Sequence, residues 1–575
     1  MSLKIVLLAI LLVGCNSITP TSSSNPLPKG ILKLDSKGHT SVIIWNLVVA
    51  KSGDIISASR DMTIRVWDSK TGKEKRTILG EIGKREKEGV SSIALSPDDK
   101  FLAVGVYSNE NIIRIYHYKT GKLYKILKLN NMIVSDLAFS DDGKYLVSAL
   151  GASGVRLWDV KDFKLVDRVI AYQDSTRYIG MIKKENTHFI VIVGNKKLSL
   201  YSVKEKKIVK TVKGDDMFGY IATSQDSIAV SRMNKNKIEI YDYNLKLTKT
   251  IETKRRRSGL AYSPNGDLLI SGMEGSASVD IYSKKDNYKR VSFLKKHENT
   301  TIGVGFLDNK TAVSAGGNNG EIYIWDIASG EVKAEVLGAG GDIHTLGLDG
   351  DNIAFGYMSK RWTYGKPRFM KLINIKKLKI TPINSFDRSR LKTLSTTKGD
   401  YSLSVSKRQN ILNIKKSGKI VASIKRDWRS GNVHTVFGFY KDYIISGGRN
   451  GVLKLYNLQG NEIATLLGEK RDIYSIAIDA DRVISGGKGK VIHIWDLKKI
   501  KPLMNPILNL FVGRYNNEWI IWTPKGYYNA SKNGEIYLGY HLNHGEGHEA
   551  EFLEISKFRK ELYRPKLIEK IVERE

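Results

Sequence analysis

The sequence predicts an all-β chain in which about twelve copies of one four-stranded unit are set in two rings in series. Three observations predict it: an aromatic position that recurs at near-constant spacing, a hairpin-turn motif that recurs ahead of it, and a composition suited to short strands and tight turns.

The aromatic position is clearest in IISASRDMTIRVWDSKTGK, residues 55–73. An apolar strand is followed by small residues, a polar turn at Asp61, a second strand ending at Trp67, then Asp68 and a Thr71-Gly72 turn. The same grammar returns at 312–330, AVSAGGNNGEIYIWDIASG, and again around Tyr456 and Trp495. The slot of Trp67 is filled in turn by Tyr116, Trp158, Tyr201, Tyr241, Tyr282, Trp325, Ile373, Asn413, Tyr456, Trp495 and Gly539, at steps of 39 to 49 residues. Ile373, Asn413 and Gly539 are degenerate occupants.

The turn motif reads Ser96-Pro97-Asp98-Asp99, Ser140-Asp141-Asp142-Gly143, Ser263-Pro264-Asn265-Gly266 and Thr523-Pro524-Lys525-Gly526. Each copy lies between apolar runs, where a hairpin needs a turn of this chemistry. With 52 Gly and 28 Tyr against 15 Phe, the composition agrees.

This period and its Trp-Asp signature resemble the WD-repeat β-propeller family, over roughly residues 30–543. One four-stranded sheet cannot cover both its faces, so blades must stack radially. Twelve exceed the four to eight blades usual in one ring. The expectation is therefore two WD-type propellers, split six plus six or seven plus five, with the boundary between Lys284 and Ala339. The domain reading is 30–295 for the first and 296–545 for the second. The resemblance also implies a structural brace in the first blade: His39 after Gly38, Ser57 or Ser59, Asp61 and Trp67. Such a His–Ser–Asp set looks like a catalytic triad, but the family uses it to tie strands together.

The formal charge of +34 makes the surface attractive to polyanions. The densest run, Lys254-Arg255-Arg256-Arg257, supplies candidate anion contacts. Residues 360–371 (KRWTYGKPRFMK) read as an insertion that either packs its aromatics on a blade edge or binds nucleic acid or glycan. One cysteine excludes an internal disulfide and any multi-thiolate metal site. Neither a G-x-S-x-G elbow, an H-E-x-x-H pair nor a G-x4-G-K-S/T loop occurs.

Lys4 and the apolar run Ile5–Val13 are too short to span a bilayer and read as an export signal. Leu12-Val13-Gly14-Cys15 resembles the bacterial lipoprotein box, which implies diacylglycerol on Cys15 and removal of residues 1–15. Residues 16–29 form a polar tether. The expected location is the bacterial cell envelope, on the periplasmic face of the inner or outer membrane.

Residues 518–543 read as a divergent last blade. With Phe558–Pro565 they resemble the segment between propeller and peptidase in bacterial WD-repeat/caspase-like fusions, yet no Gln-Ala-Cys-x-Gly motif follows. Phe552, Ile555, Phe558 and Leu562 space as one helical face within the 546–575 tail, ending at Pro565. His541, His544 and His548 with Glu546 and Glu549 have metal-ligand chemistry, but Gly545 and Gly547 spoil a rigid presentation, and no metal or other cofactor is expected. The functional expectation is a non-catalytic, membrane-anchored scaffold for other proteins, with no small-molecule substrate. The alternatives are a binder of anionic glycan, lipid or nucleic acid through the basic surface, and an enzyme with a site in a propeller channel.

Overall fold

A computed structural model describes residues 29–573 except 40–42, 60, 81–88, 108–111, 130–131, 170–174, 318–319, 358–368, 428–430, 469–470 and 546–547. The expected signal peptide, Cys15 and most of the 360–371 insertion lie outside the described residues.

Eleven blades follow one another along the chain, each with its strands in sequence order across the sheet, and all pair antiparallel except Leu503–Met504, which adds to the tenth as a parallel edge strand. Blades 1 to 7 span 43–79, 89–128, 136–169, 178–213, 218–252, 257–295 and 301–336. Blade 1 shows why these segments become strands. Ile55–Ser59 and Thr63–Trp67 are buried throughout, because neighbouring blades cover both faces. Its outer strand Glu74–Leu79 has only the hydrophobic Ile78 buried and carries its charges outward. The Ser-turn motif caps each hairpin by a repeated device. Ser96, Ser140 and Ser263 accept, through Oγ, the backbone N–H five residues on, each at 2.9 Å. The fourth turn residue is left-handed in all four copies: Asp99, Gly143, Gly266 and Gly526. Glycine meets that requirement without a Cβ penalty.

Seven apolar clusters hold blades 1 to 7 together, one per interface. The closing cluster joins Leu47, Ile55 and Trp67 of blade 1 to Val313, Ala315 and Ile324 of blade 7. Blades 1 to 7 therefore form one closed ring, and the boundary expected at 295/296 falls one blade early.

The second unit holds four blades, 8 to 11, at 343–382, 397–425, 436–466 and 473–530. Their packing order is 8–11–10–9. Ile343, Leu346 and Phe355 of blade 8 meet Ile484, Ile494 and Leu510 of blade 11, whose other face meets blade 10, which meets blade 9. Blade 8's remaining face is covered by Phe369, Ile383, Phe386 and Leu391, not by blade 9. The connecting segment bonds Lys392 to Leu348 and Ser395 to Phe439, closing the inner circuit. Blade 9 thus turns a polar face outward, where Ser423 donates to Asn413 at 2.8 Å.

A bulge precedes the marker position in nine of the eleven blades, and in eight of them that position holds the aromatic. It confirms the slots of Trp67 through Trp325 and Tyr456. In blade 9 the bulge falls between Ile414 and Lys415, so Lys415, not Asn413, holds the slot.

The last blade expected at 518–543 does not form. Trp519–Trp522 and Tyr528–Ala530 extend blade 11 to six strands. Leu538–Leu542, with Gly539, instead becomes the middle strand between Ile31–Leu34 and Glu551–Glu554. The expected helix is also displaced. Residues 551–554 are a strand, Ile555–Phe558 a 3-10 turn, Arg559–Leu562 a single α-helical turn, and the longer helix runs Pro565–Glu573. Pro565 starts that helix, a position where its missing N–H costs nothing. Ile555, Phe558 and Leu562 are still buried, against blade 11 and the three-stranded sheet.

Candidate functional site

The first blade brings His39, Ser57, Asp61 and Trp67 into one hydrogen-bonded chain. Trp67 Nε1 donates to Ser57 Oγ at 2.7 Å, and His39 Nε2 lies 2.8 Å from the same oxygen. His39 Nδ1 sits 3.0 Å from Thr63 Oγ1, which donates to Asp61 at 2.6 Å. Asp61 is 3.5 Å from His39 Nδ1 and takes the Thr63 backbone N–H as well. Ser59 serves separately, accepting the Asp61 backbone N–H. Gly38 puts His39 in place: a Cβ there would stand 2.4 Å from the Gly338 Cα. Burial works against the Asp61 charge, but His39, by charge and hydrogen bond, and then Arg65 and Lys33 hold its carboxyl well below the usual range.

This set has the residue types of a triad, but its serine and histidine have no access to solvent. Ser57, His39, Trp67 and Asp61 are exposed by 0%, 1%, 2% and 4%. The serine oxygen is occupied by the indole and faces no cleft. The set ties His39 and the Asp61 turn to the strands Ile55–Ser59 and Thr63–Trp67.

Blade 7 repeats the His–Ser pair of this arrangement without the indole bond, which the sequence reading missed. His297 Nε2 lies 2.9 Å from Ser314 Oγ, with Glu321 at 3.9 Å from Nδ1 and Trp325 in the marker slot. The signal was available: His297 precedes Ser314 by 17 residues, as His39 precedes Ser57 by 18. Blade 10 pairs His434 with Ser446 at 2.8 Å. Burial, and then Arg426, push the His434 imidazole down to about 4.

A crevice of about 480 Å³ opens beside the first brace, between blade 1 and the three-stranded terminal sheet. Arg65 lies in its wall, reaching Asp35 at 2.7 Å and Glu74 on its other nitrogen. Lys37 bridges to Glu554 at 3.0 Å. Burial lowers the Lys33 ammonium. Burial and then Lys33 bring His541 down to about 4, against a hydrogen bond to the Gly80 carbonyl at 3.0 Å. These groups knit the terminal sheet to blade 1.

The basic run divides. Arg257 is buried and donates to Asp280 at 2.8 Å, with its guanidinium 5.8 Å from the Tyr282 ring. Arg256 pairs with Glu274 at 3.3 Å, and Lys254 and Arg255 are exposed. Three of the four therefore face solvent, while Arg257 is a core residue. The C-terminal histidines are scattered: His541 is buried, His544 pairs with Glu551 at 3.7 Å, and Glu549 accepts from the Leu123 backbone. Among the described residues no group of three His, Cys, Asp or Glu could hold a metal ion.

Residues 31–68, 74–117 and 121–159 match the WD domain, G-beta repeat family. The chain thus carries WD40 repeats at its N-terminal end, and the fold is the all-β, WD-type bladed architecture expected from sequence. Each match begins one strand before a blade. Glu74–Leu79 and Leu123–Lys128, at the head of the second and third, are outer strands of blades 1 and 2. Ile31–Leu34, at the head of the first, pairs instead with Leu538–Leu542.

Among curated proteins, a ribosome biogenesis protein WDR12 homolog of Trichoplax adhaerens is 32% identical over 24% of this chain and 31% of its own length. COMPASS component SWD3 of Saccharomyces cerevisiae is 30% identical over 21% of this chain and 39% of its own. The guanine nucleotide-binding protein subunit beta of the same yeast is 22% identical over 55% of this chain and 75% of its own. The chain spans only about a third of the length of the first two relatives.

Proposed function

We propose that this chain is a non-catalytic interaction scaffold that presents propeller faces to other proteins, held on a bacterial envelope membrane by lipid on Cys15. The observation that carries the first half is the fate of the triad-like residues. In blades 1, 7 and 10 the His and Ser groups are spent on holding strands together, which leaves the loops and faces as the working surface. Two of the relatives are named as a subunit or component of larger assemblies, which supports the reading. The lipid anchor rests on the Leu12–Cys15 box. It predicts incorporation of a fatty-acid analogue that Cys15→Ser abolishes.

The scaffold is tested by crosslinking in the native membrane followed by affinity capture. A reproducible stoichiometric protein partner is expected. A specific small-molecule substrate turned over by the purified chain would overturn the reading. A caspase-like peptidase on a separate chain is the first partner to test, given the likeness of residues 518–565 to the junction of such fusions.

A further inference from the structure

We propose that the outer hairpin of blade 9, residues 411–425, docks onto an anionic phospholipid surface. From Tyr401 to Arg426 the sequence holds seven Lys or Arg and neither Asp nor Glu. In a fold where surface cations are regularly paired with carboxylates, blade 9 holds a single one, Asp400, which accepts from Ser417 Oγ at 3.4 Å. Lys415, Lys416 and Lys419 cluster where the strands Ile411–Lys416 and Lys419–Lys425 meet at the Ser417-Gly418 turn. Among the described residues none of these three makes an ion pair, and Lys416 rests 5.4 Å over the Tyr401 ring. Beside them stand Ile420 and Val421, 57% and 53% exposed, consecutive on the outer strand.

The two features belong together on one kind of partner. Unpaired lysines near an anionic leaflet each contribute about a fivefold gain in affinity. Two adjacent aliphatic side chains gain by leaving water for the acyl boundary, as in peripheral membrane anchors. A nucleic acid would leave Ile420 and Val421 without a role. It would also call for free aromatic faces or Arg forks, whereas the hairpin tip carries Lys and its nearby Tyr401 face is taken by Lys416. Position in the fold agrees: blade 9 ends the packing series, so this hairpin is not enclosed by a further blade. The contact is separate from the lipid on Cys15. It is the kind of second signal that makes a lipid-held protein lie against a membrane in one orientation.

The test uses the whole chain with Cys15→Ser, so that failure here is distinct from failure of the lipid reading. Co-sedimentation is measured with vesicles of phosphatidylcholine alone and of phosphatidylcholine mixed with phosphatidylglycerol. Binding to the mixed vesicles is expected, weakening as salt rises. Lys415→Gln/Lys416→Gln/Lys419→Gln should weaken it by about a hundredfold. Ile420→Ser/Val421→Ser should weaken it by tenfold or more. Lys254→Gln/Arg255→Gln should leave it unchanged, and unaltered melting confirms that each variant is folded. Equal binding to both vesicle types, no loss in either hairpin variant, or binding of a single-stranded oligonucleotide in preference to the vesicles would each overturn the proposal.

Discussion

Lys490 of blade 11 donates its ammonium to the backbone carbonyl of His39, 2.9 Å away, where both are buried between the two units. Burial lowers this lysine to about 8, against the attraction of Asp342 and Asp61. Unfolded, it titrates near 10.5, so between those values the unfolded chain binds more protons. The stability this group contributes is then complete above pH 10.5 and lost as pH falls through 8. Lys490→Met should remove that dependence. Relative to the variant, the parent should gain up to roughly 3 kcal/mol between pH 8 and 10.5, read by urea denaturation across the pH series.

Ser57→Ala strips the first brace of its shared oxygen, leaving Trp67 Nε1 and His39 Nε2 buried without it. The expected cost is about 2–3 kcal/mol. Ser148→Ala removes one bond, from Trp158 at 3.1 Å, and should cost about 1 kcal/mol. Equal melting shifts for the two variants would contradict the shared-acceptor geometry.

Arg257→Ala leaves Asp280 buried with the more distant Arg290, at 3.3 Å, and the Tyr282 hydroxyl, at 3.4 Å. A loss of about 3 kcal/mol is expected, while Arg255→Ala should fall within about 0.5 kcal/mol of the parent. Denaturant midpoints separate the two.

The C-terminal helix inserts Ile568 and Val572, 1% and 3% exposed, into the core shared by blades 8 and 11. Arg482 fastens its end by donating to the Val572 carbonyl at 2.9 Å. Ile568→Ala should cost about 2–5 kcal/mol. Hydrogen exchange should show the loosening in blades 8 and 11 and leave blades 2 to 6 protected as before.

Reading the repeat from sequence worked because the marker aromatic is fixed by local geometry. Its strand, the bulge before it and the turn behind it lie within one blade, so Trp67 and Tyr116 announce themselves. Which blades meet is a different matter. Leu47, Ile55 and Trp67 pack against Val313, Ala315 and Ile324 across more than 240 residues, and it is that packing which assigns blade 7 to the first ring. Asn413 and Lys415 are hard to place because no blade packs on their side of the sheet, so nothing there demands an aromatic. The tail misled for a related reason. The spacing of Phe552, Ile555, Phe558 and Leu562 signals burial on one side, and a strand, a 3-10 turn and one α-helical turn in succession meet that need as well as a continuous helix. His297 was overlooked because Asn319 fills the sequence slot of Asp61, while the carboxylate that faces the ring comes from Glu321, at the position of Thr63.

The pairing of Ile31–Leu34 with Leu538–Leu542 gives the molecule a mechanical character. Tension applied upstream of Ile31 would meet this four-residue ladder first, and blade 1 only after the ladder parts. The terminal sheet therefore acts as a clasp. While it holds, a pull on the leading end is shared with the far end of the same chain, and neither ring is unwound from its first strand.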